Sequence, residues 1–342
     1  MRGTNGSVAV SLNCEIVESI PSEVRNLRVC FGFASQPLHS LQGQSHPHSL
    51  EKMLPSIVIY GLVNSVILAL TAIGFSLTFG ISGVANFAYG GFYIFSGFVV
   101  WMLLNYLKFP FVLAIIVTIG VTGLLGFITY WVILLRVRGI ALSEVIATFA
   151  LGVGILELFR WLGFVTYEFT LPYLKKGMIM IVGVPLDYQR LSIIGIGLAL
   201  VLFLYFFTHY TRVGLAFRGI AQNERTAISL GIKSDRTAAL SLAFGSAMAS
   251  VAAIVILPLG IISINTGYEV LLIAVAVGIV GGLESVPGIL VASLILGYAQ
   301  IITGTYFKPE WMMVVYLAAI VLVLAIKPSG LFGKFKELEE RV

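Results

Sequence analysis

RVGLAFRGIAQNERTAISLG, residues Arg212 to Gly231, decides how the whole chain is read. It is the longest charged interruption between two strongly apolar segments. Five basic residues, Arg212, Arg218, Arg225, Lys233 and Arg236, fall between Thr211 and the end of the interruption. Each costs roughly 2.5 to 3.5 kcal/mol at a membrane centre, about 12 to 17 kcal/mol together, so the stretch lies in water. It still carries helix-forming residues. Asn223 stands as an N-cap, Glu224 where the helix dipole favours a carboxylate, and Gly231 where a C-terminal cap falls. An ordered loop explains this pattern, and so does a short helix that docks a cytoplasmic partner.

The flanks belong to a membrane protein. The 342 residues are 58% hydrophobic and 11% charged, whereas soluble domains carry about a quarter charged residues. The composition predicts an all-α, polytopic integral membrane protein with about eight or nine transmembrane or re-entrant helices. No basic start, apolar core and small-residue cleavage site combine near the N-terminus, so the spans direct insertion. The net charge of +5 reflects basic residues gathering on the cytoplasmic side and does not indicate a nucleic-acid partner. Cys14 and Cys30 both precede the first span and have no zinc-type spacing, so metal and redox chemistry are not expected.

Residues 1–52 are polar and aperiodic, and are expected to be a disordered extension or the product of a misplaced start, with translation beginning at Met53. Residues 53–333 form the transmembrane domain, with the water-exposed segment at 211–236, and 334–342 form a cytoplasmic tail. Nine apolar segments follow the extension, at 54–79, 84–104, 110–135, 142–163, 191–210, 237–261, 269–282, 287–304 and 311–326. Most can cross about 30 Å of hydrocarbon at 1.5 Å per residue. The seventh is short and ends in Gly281-Gly282 ahead of Pro287-Gly288, so it is expected to be broken or re-entrant.

With nine segments, eleven lysines and arginines fall on one side, counting Arg136, Arg138, the opening stretch and the C-terminus. Six fall on the other, at Lys108, Arg160, Lys175, Lys176, Arg190 and Lys308. The bias places the opening stretch in the cytoplasm and the loop from about Phe164 to Arg190 outside. Gly245, Ala249 and Ala253, four apart, form a face that meets another helix, by default within the same chain.

No glycine-rich loop ends in Gly-Lys-Ser or Gly-Lys-Thr, and Gly333-Lys334 runs into Phe335, so the chain has no phosphate-binding loop of its own. His209 stands alone at a span end, and the other histidines lie in the extension. Glu157 and Arg160, one turn apart near the outer interface, read as a structural ion pair. A solute path is better sought where glycine, proline and amides interrupt apolar helices, because irregular backbone at membrane depth needs protein or a water-filled cavity beside it. Asn86-Phe87-Ala88-Tyr89-Gly90-Gly91 is one such place, and Gly281-Gly282-Leu283-Glu284-Ser285-Val286-Pro287-Gly288 is the other. The alternatives are helix-to-helix hydrogen bonding for Asn86 and Tyr89, and a plain cytoplasmic turn for the second.

At these residues the sequence resembles the permease subunits of ABC importers for branched-chain amino acids. The resemblance rests on Arg212, Gly214, Ala216, Arg218, Ala221-Gln222-Asn223, Ala227 and Leu230-Gly231-Ile232 in the opening stretch. It extends, in order, to Asn86-Phe87-Ala88, to Gly281-Gly282 with Ser285-Val286-Pro287-Gly288, and to Pro328-Ser329-Gly330-Leu331-Phe332-Gly333. The sequence looks more like the first of the family's two kinds of permease subunit, and departs from the pattern at Tyr89, often histidine, and Glu284, often glycine.

The resemblance implies a pore-forming subunit in a cell membrane that is not itself an enzyme and holds no cofactor. Its partners would be a second permease subunit, two cytoplasmic ATPase subunits that bind the ATP, and an extracytoplasmic solute-binding protein. Asn86, Tyr89, Gly90, Gly281, Gly282, Ser285 and Pro287 would line the substrate path. Arg218, Glu224, Arg225, Ala227, Ile228, Leu230 and Gly231 would couple to the ATPases. A permease for urea, short amides or another small polar solute fits the same pattern. An ion-coupled secondary transporter is the rival of another class, and requires an ionisable group near mid-membrane.

Overall fold

The computed structural model of the chain describes residues 48–83, 85–163, 170–174, 177–181, 183–260 and 262–333, with only the backbone at 48–53 and Ala141. The expected extension up to residue 47, most of the basic tail, and Lys175 and Lys176 lie outside the described residues.

The apolar segments fold as helices: α1 (His48–Ser82), α2 (Tyr89–Asn105), α3 (Phe111–Thr129), α4 (Ala141–Trp161) and α5 (Tyr188–Tyr210). The water-exposed stretch then forms α6 (Arg212–Gln222) and α7 (Glu224–Ser229), before α8 (Ser234–Ile256), α9 (Ile264–Gly281), α10 (Val286–Tyr306) and α11 (Met312–Ile326). α3 runs on through a π-helical turn (Tyr130–Leu134) and a last α-turn (Leu135–Val137). Among the described residues 8 helices are long and apolar enough to cross a membrane, and α2, at 17 residues, is a shorter apolar helix.

The short element is therefore the second segment and not the seventh. α9 is a continuous helix of 18 residues that begins at Ile264, ahead of the expected start. The polar run Asn265-Thr266-Gly267 hid this beginning in the sequence. Thr266 is buried, and a Cβ on Gly267 would come within 2.9 Å of Leu156 and 3.1 Å of Ile94, so these polar residues pack against protein. The loop before α5 holds an antiparallel hairpin, β1 (Met178–Ile181) with β2 (Val184–Asp187), in the register Met178 to Asp187 and Ile181 to Val184. The all-helical expectation did not include it.

α1 and α8 are the enclosed centre of the bundle, each 72% buried over its most apolar window, whereas α11 is 17% buried and turns Val321 and Ile326 outward. α10 lies antiparallel along α1. Tyr298 Oη donates to Val58 O at 3.1 Å, Asn64 Nδ2 to Gln300 Oε1 at 2.7 Å and to Gly297 O at 3.2 Å, while Gly80 faces Glu284 Cα at the other end. Small residues and interhelical hydrogen bonds of this kind hold helices where water exclusion gives no drive. The expected stripe on α8 packs within the chain. A Cβ on Gly245 would reach 2.9 Å from Gly74 O of α1, and Ala249 and Ala253 are fully buried. Glu157 and Arg160 pair at 3.2 Å and are about half exposed, as a structural pair would be.

Candidate functional site

α1 ends at Ser82, and Gly83, with φ +66°, turns the chain out of the helix. Residues 85–88 are not helical, and α2 starts only at Tyr89. This break sits inside the bundle. Phe87 N donates to Thr148 Oγ1 at 3.3 Å, two turns or about 10 Å into α4. The Tyr89 ring stands edge-on to Phe75 of α1, with centroids 6.1 Å apart, also about 10 Å from the end of that helix.

Each side chain at the break has a distinct task. Asn86 is buried, and its Oδ1 accepts from Ala88 N at 3.1 Å while Tyr89 N donates to Asn86 O at 3.2 Å, which closes the turn that starts α2. Asn86 Nδ2 and Tyr89 Oη make no hydrogen bond among the described residues, although both are buried. Helix-to-helix hydrogen bonding is thus not what these groups do in this conformation. Tyr93 Oη, four residues on and on the same face of α2, is in the same condition, as is Ser250 Oγ on α8. Leaving such a group unpaired costs about 1 to 3 kcal/mol. Tyr93 was not singled out in the sequence, though its spacing from Tyr89 was a usable signal.

Gly90 and Gly91 allow the close approach of two further helices. A Cβ on Gly90 would come 2.9 Å from the carbonyl carbon of Gly267 on α9, and one on Gly91 would come 3.0 Å from Gly152 O on α4. A narrow cleft of about 10 Å³, room for roughly one water, is bordered by Phe87, Gly90, Phe149, Leu156, Gly267 and Leu271 along this crossing.

The second glycine-rich stretch is closed. Gly282, at φ +99°, ends α9, and Ser285 caps α10 by accepting from Gly288 N at 3.1 Å, with Pro287 in the first turn. A Cβ on Gly281 would lie 2.7 Å from the backbone of Gly288. The Pro328–Gly333 motif folds back over the turn, where Leu331 N donates to Val280 O at 2.9 Å and Phe332 N to Gly281 O at 3.1 Å. Ser76 Oγ of α1 donates to Leu283 O at 2.5 Å. Two motifs read separately in the sequence therefore form one clasp, and Phe75, 3.7 Å from a Cβ placed on Gly278, stands between it and Tyr89.

The water-exposed stretch is two helices and not one. Thr211 Oγ1 caps α6 by accepting from Gly214 N at 3.0 Å, and Asn223 Oδ1 caps α7 by accepting from Thr226 N at 2.9 Å. Gly231, at φ +88°, donates to Ile228 O at 2.9 Å while Ile232 N donates to Ala227 O at 3.1 Å, a Schellman ending. α6 is held down by Phe217, edge-on to Phe207 of α5, which stacks on Phe244 of α8 at 4.5 Å. Of the coupling residues, Ala227 is buried against Gly219 and Glu224 is tied to Arg138 at 3.0 Å. Arg218, Arg225, Ile228, Leu230 and Gly231 face outward, with Ile228 50% and Leu230 78% exposed. Ile228 and Leu230 are thus apolar side chains exposed in a stretch too charged for lipid.

Among the described residues, eight helices of spanning length with a capped, water-exposed helix pair packed on one end of the bundle describe a multi-pass membrane protein. The chain belongs to the family of permease components of branched-chain amino acid transport systems, whose pattern matches residues 57–324. It is 31% identical over 287 residues to the high-affinity branched-chain amino acid transport system permease protein LivH of Salmonella typhimurium, covering 78% of this chain and 91% of that one. LivH of Escherichia coli K12 is 30% identical over 286 residues, again covering 78% and 91%. The corresponding protein BraD of Pseudomonas aeruginosa is 28% identical over 293 residues, covering 81% and 95%. Among solved structures, a chain of PsaBC from Streptococcus pneumoniae aligns with a TM-score of 0.46 and 13% identity over 81% of this chain and 94% of that one, too slight a likeness to argue from.

Proposed function

We propose that this chain forms half of the pore of an ATP-driven importer of branched-chain amino acids, and that solute passes beside the break at Asn86, Tyr89 and Gly90. The observation that carries this reading is the set of buried polar groups at the break with no hydrogen bond among the described residues, Asn86 Nδ2 and Tyr89 Oη. Uncharged groups suit a transient path, because Asn86 Nδ2 can donate to a solute's carboxylate and the Tyr89 hydroxyl can donate to a carboxylate or accept from an ammonium without holding it. A second permease subunit completes the pore and a solute-binding protein delivers from the outer loops. Two ATPase subunits dock on the outward residues Arg218, Arg225, Ile228, Leu230 and Gly231 in the cytoplasm, with Glu224 and Ala227 holding the docking helices in shape. Gly281, Gly282, Ser285 and Pro287 keep the cytoplasmic end of the bundle closed on itself and act on the path through its shape.

Uptake of leucine into vesicles that contain the permease pair, ATPases and binding protein tests the reading. Transport should require internal ATP and survive collapse of the ion gradients. Leucine uptake driven by an ion gradient without ATP would refute it.

A further inference from the structure

Arg138, at the end of the span that α3 begins, gathers groups from three parts of the chain. Its Nη2 donates to Glu224 Oε1 at the start of α7 at 3.0 Å and to Ser234 Oγ at the start of α8 at 2.8 Å. Its Nη1 pairs with Asp235 Oδ1 and lies 3.4 Å from Tyr130 Oη, which donates to the same carboxylate at 2.9 Å. One guanidinium therefore ties the α3–α4 connection to both ends of the segment that carries α7.

The connection continues inward. Gly139, at φ +99°, donates its N–H to Glu144 Oε1 at 2.9 Å, and Glu144 is buried on the first turn of α4. Glu144, Thr148 and Gly152 are four residues apart and so share one face. Thr148 Oγ1 accepts from Phe87 N at 3.3 Å and lies 3.4 Å from Ala85 O. A Cβ on Gly152 would come 3.0 Å from both Ala88 Cα and Phe87 O. The polar face of α4 thus runs from the docking helices to the interior break.

We propose that Arg138, Glu144 and Thr148 are the positioning residues that transmit movement of the α6–α7 pair to the Asn86–Gly90 break. The inference rests on the docking reading above. Hydrogen-bond networks and rigid helices carry coupling between distant sites when some element has two arrangements. The relay assigns that role to the π-helical turn at Tyr130–Leu134, since π-turns inside α-helices occur frequently at functional sites. Tyr130 belongs both to this turn and to the Arg138 cluster, so a pull on Arg138 reaches the turn directly. The ion pairs around Arg138 are more than a third exposed, and pairs so placed add little to stability. Their loss should appear in coupling and leave the fold intact.

The test uses the complete importer in vesicles, with two readouts: ATPase subunits retained on purification, and ATP hydrolysed per leucine imported. Leu230→Asp, on the outward face, is the control that should release the ATPases. Arg138→Gln and Thr148→Val should keep the ATPases bound but raise ATP spent per leucine about fivefold or more, and Arg138→Lys should recover at least about half of the loss. A ratio within about twofold of the parent protein in both variants, with ATPases bound, would overturn the relay. Release of the ATPases by Arg138→Gln would also overturn it, by assigning Arg138 to the dock itself. Failure of the parent protein to retain ATPases would instead defeat the docking reading, and the relay with it.

Discussion

The two glycine-rich interruptions are alike as sequence and opposite as structure. At 281–288 the available polar groups are used internally: Ser285 caps α10, Ser76 reaches Leu283 O, and the tail satisfies Val280 O and Gly281 O. At 85–91 the turn is closed only through Asn86 Oδ1 and backbone, and Asn86 Nδ2, Tyr89 Oη and Tyr93 Oη remain buried without hydrogen bonds among the described residues. Glycine content alone therefore does not distinguish the two. The polar groups differ in number: in the clasp one buried side-chain group, Ser329 Oγ, has no hydrogen bond among the described residues, against three at the break, and each such group calls for an explanation.

The sharpest way to break this contrast is to put bulk into the joint. Gly281→Val places a branched side chain where even a Cβ stands 2.7 Å from the backbone of Gly288, which cannot give way as a flexible side chain could. It should cost roughly 3 kcal/mol or more and remove most folded protein from detergent extracts, as measured by size-exclusion yield. Next in size, Tyr89→Phe removes only a hydroxyl that no described residue bonds. Uptake per folded molecule should fall about tenfold, from the loss of about 1 to 1.5 kcal/mol with the solute, while thermal stability holds or rises. Smallest is Ser285→Ala, which deletes the cap on α10 and should lower stability by about 1 kcal/mol in thermal unfolding, with uptake per folded molecule unchanged. An Ala variant at Ser285 that transports poorly at full stability would move the path to the joint.

Much of this architecture was legible in the sequence. Segment boundaries followed from apolar length, and the caps at Asn223 and Gly231 stand where residue type placed them. α9 starts earlier than its apolar run because Asn265, Thr266 and Gly267 look like loop, and only the burial of Thr266 and the packing of Gly267 against Leu156 and Ile94 explain a helix there. Contacts between remote segments were beyond reach. Nothing local tells that Pro328–Gly333 clasps Gly281, or that Ala227 points inward while Leu230, three residues later, points out. Arg138 could be counted as a positive charge, but its partners Glu224, Ser234 and Asp235 lie 86 to 97 residues away.

The central claim is that the break is where solute passes, and thiol accessibility tests it most directly. Tyr89→Cys, with Cys14 and Cys30 replaced by serine and Arg136→Cys as the exposed control, is treated in the assembled importer with a charged, water-soluble thiol reagent. The account predicts that Tyr89→Cys reacts when ATP is being turned over, and that binding protein loaded with leucine slows the reaction. A cysteine at position 89 that stays inert in every state while position 136 reacts would contradict it.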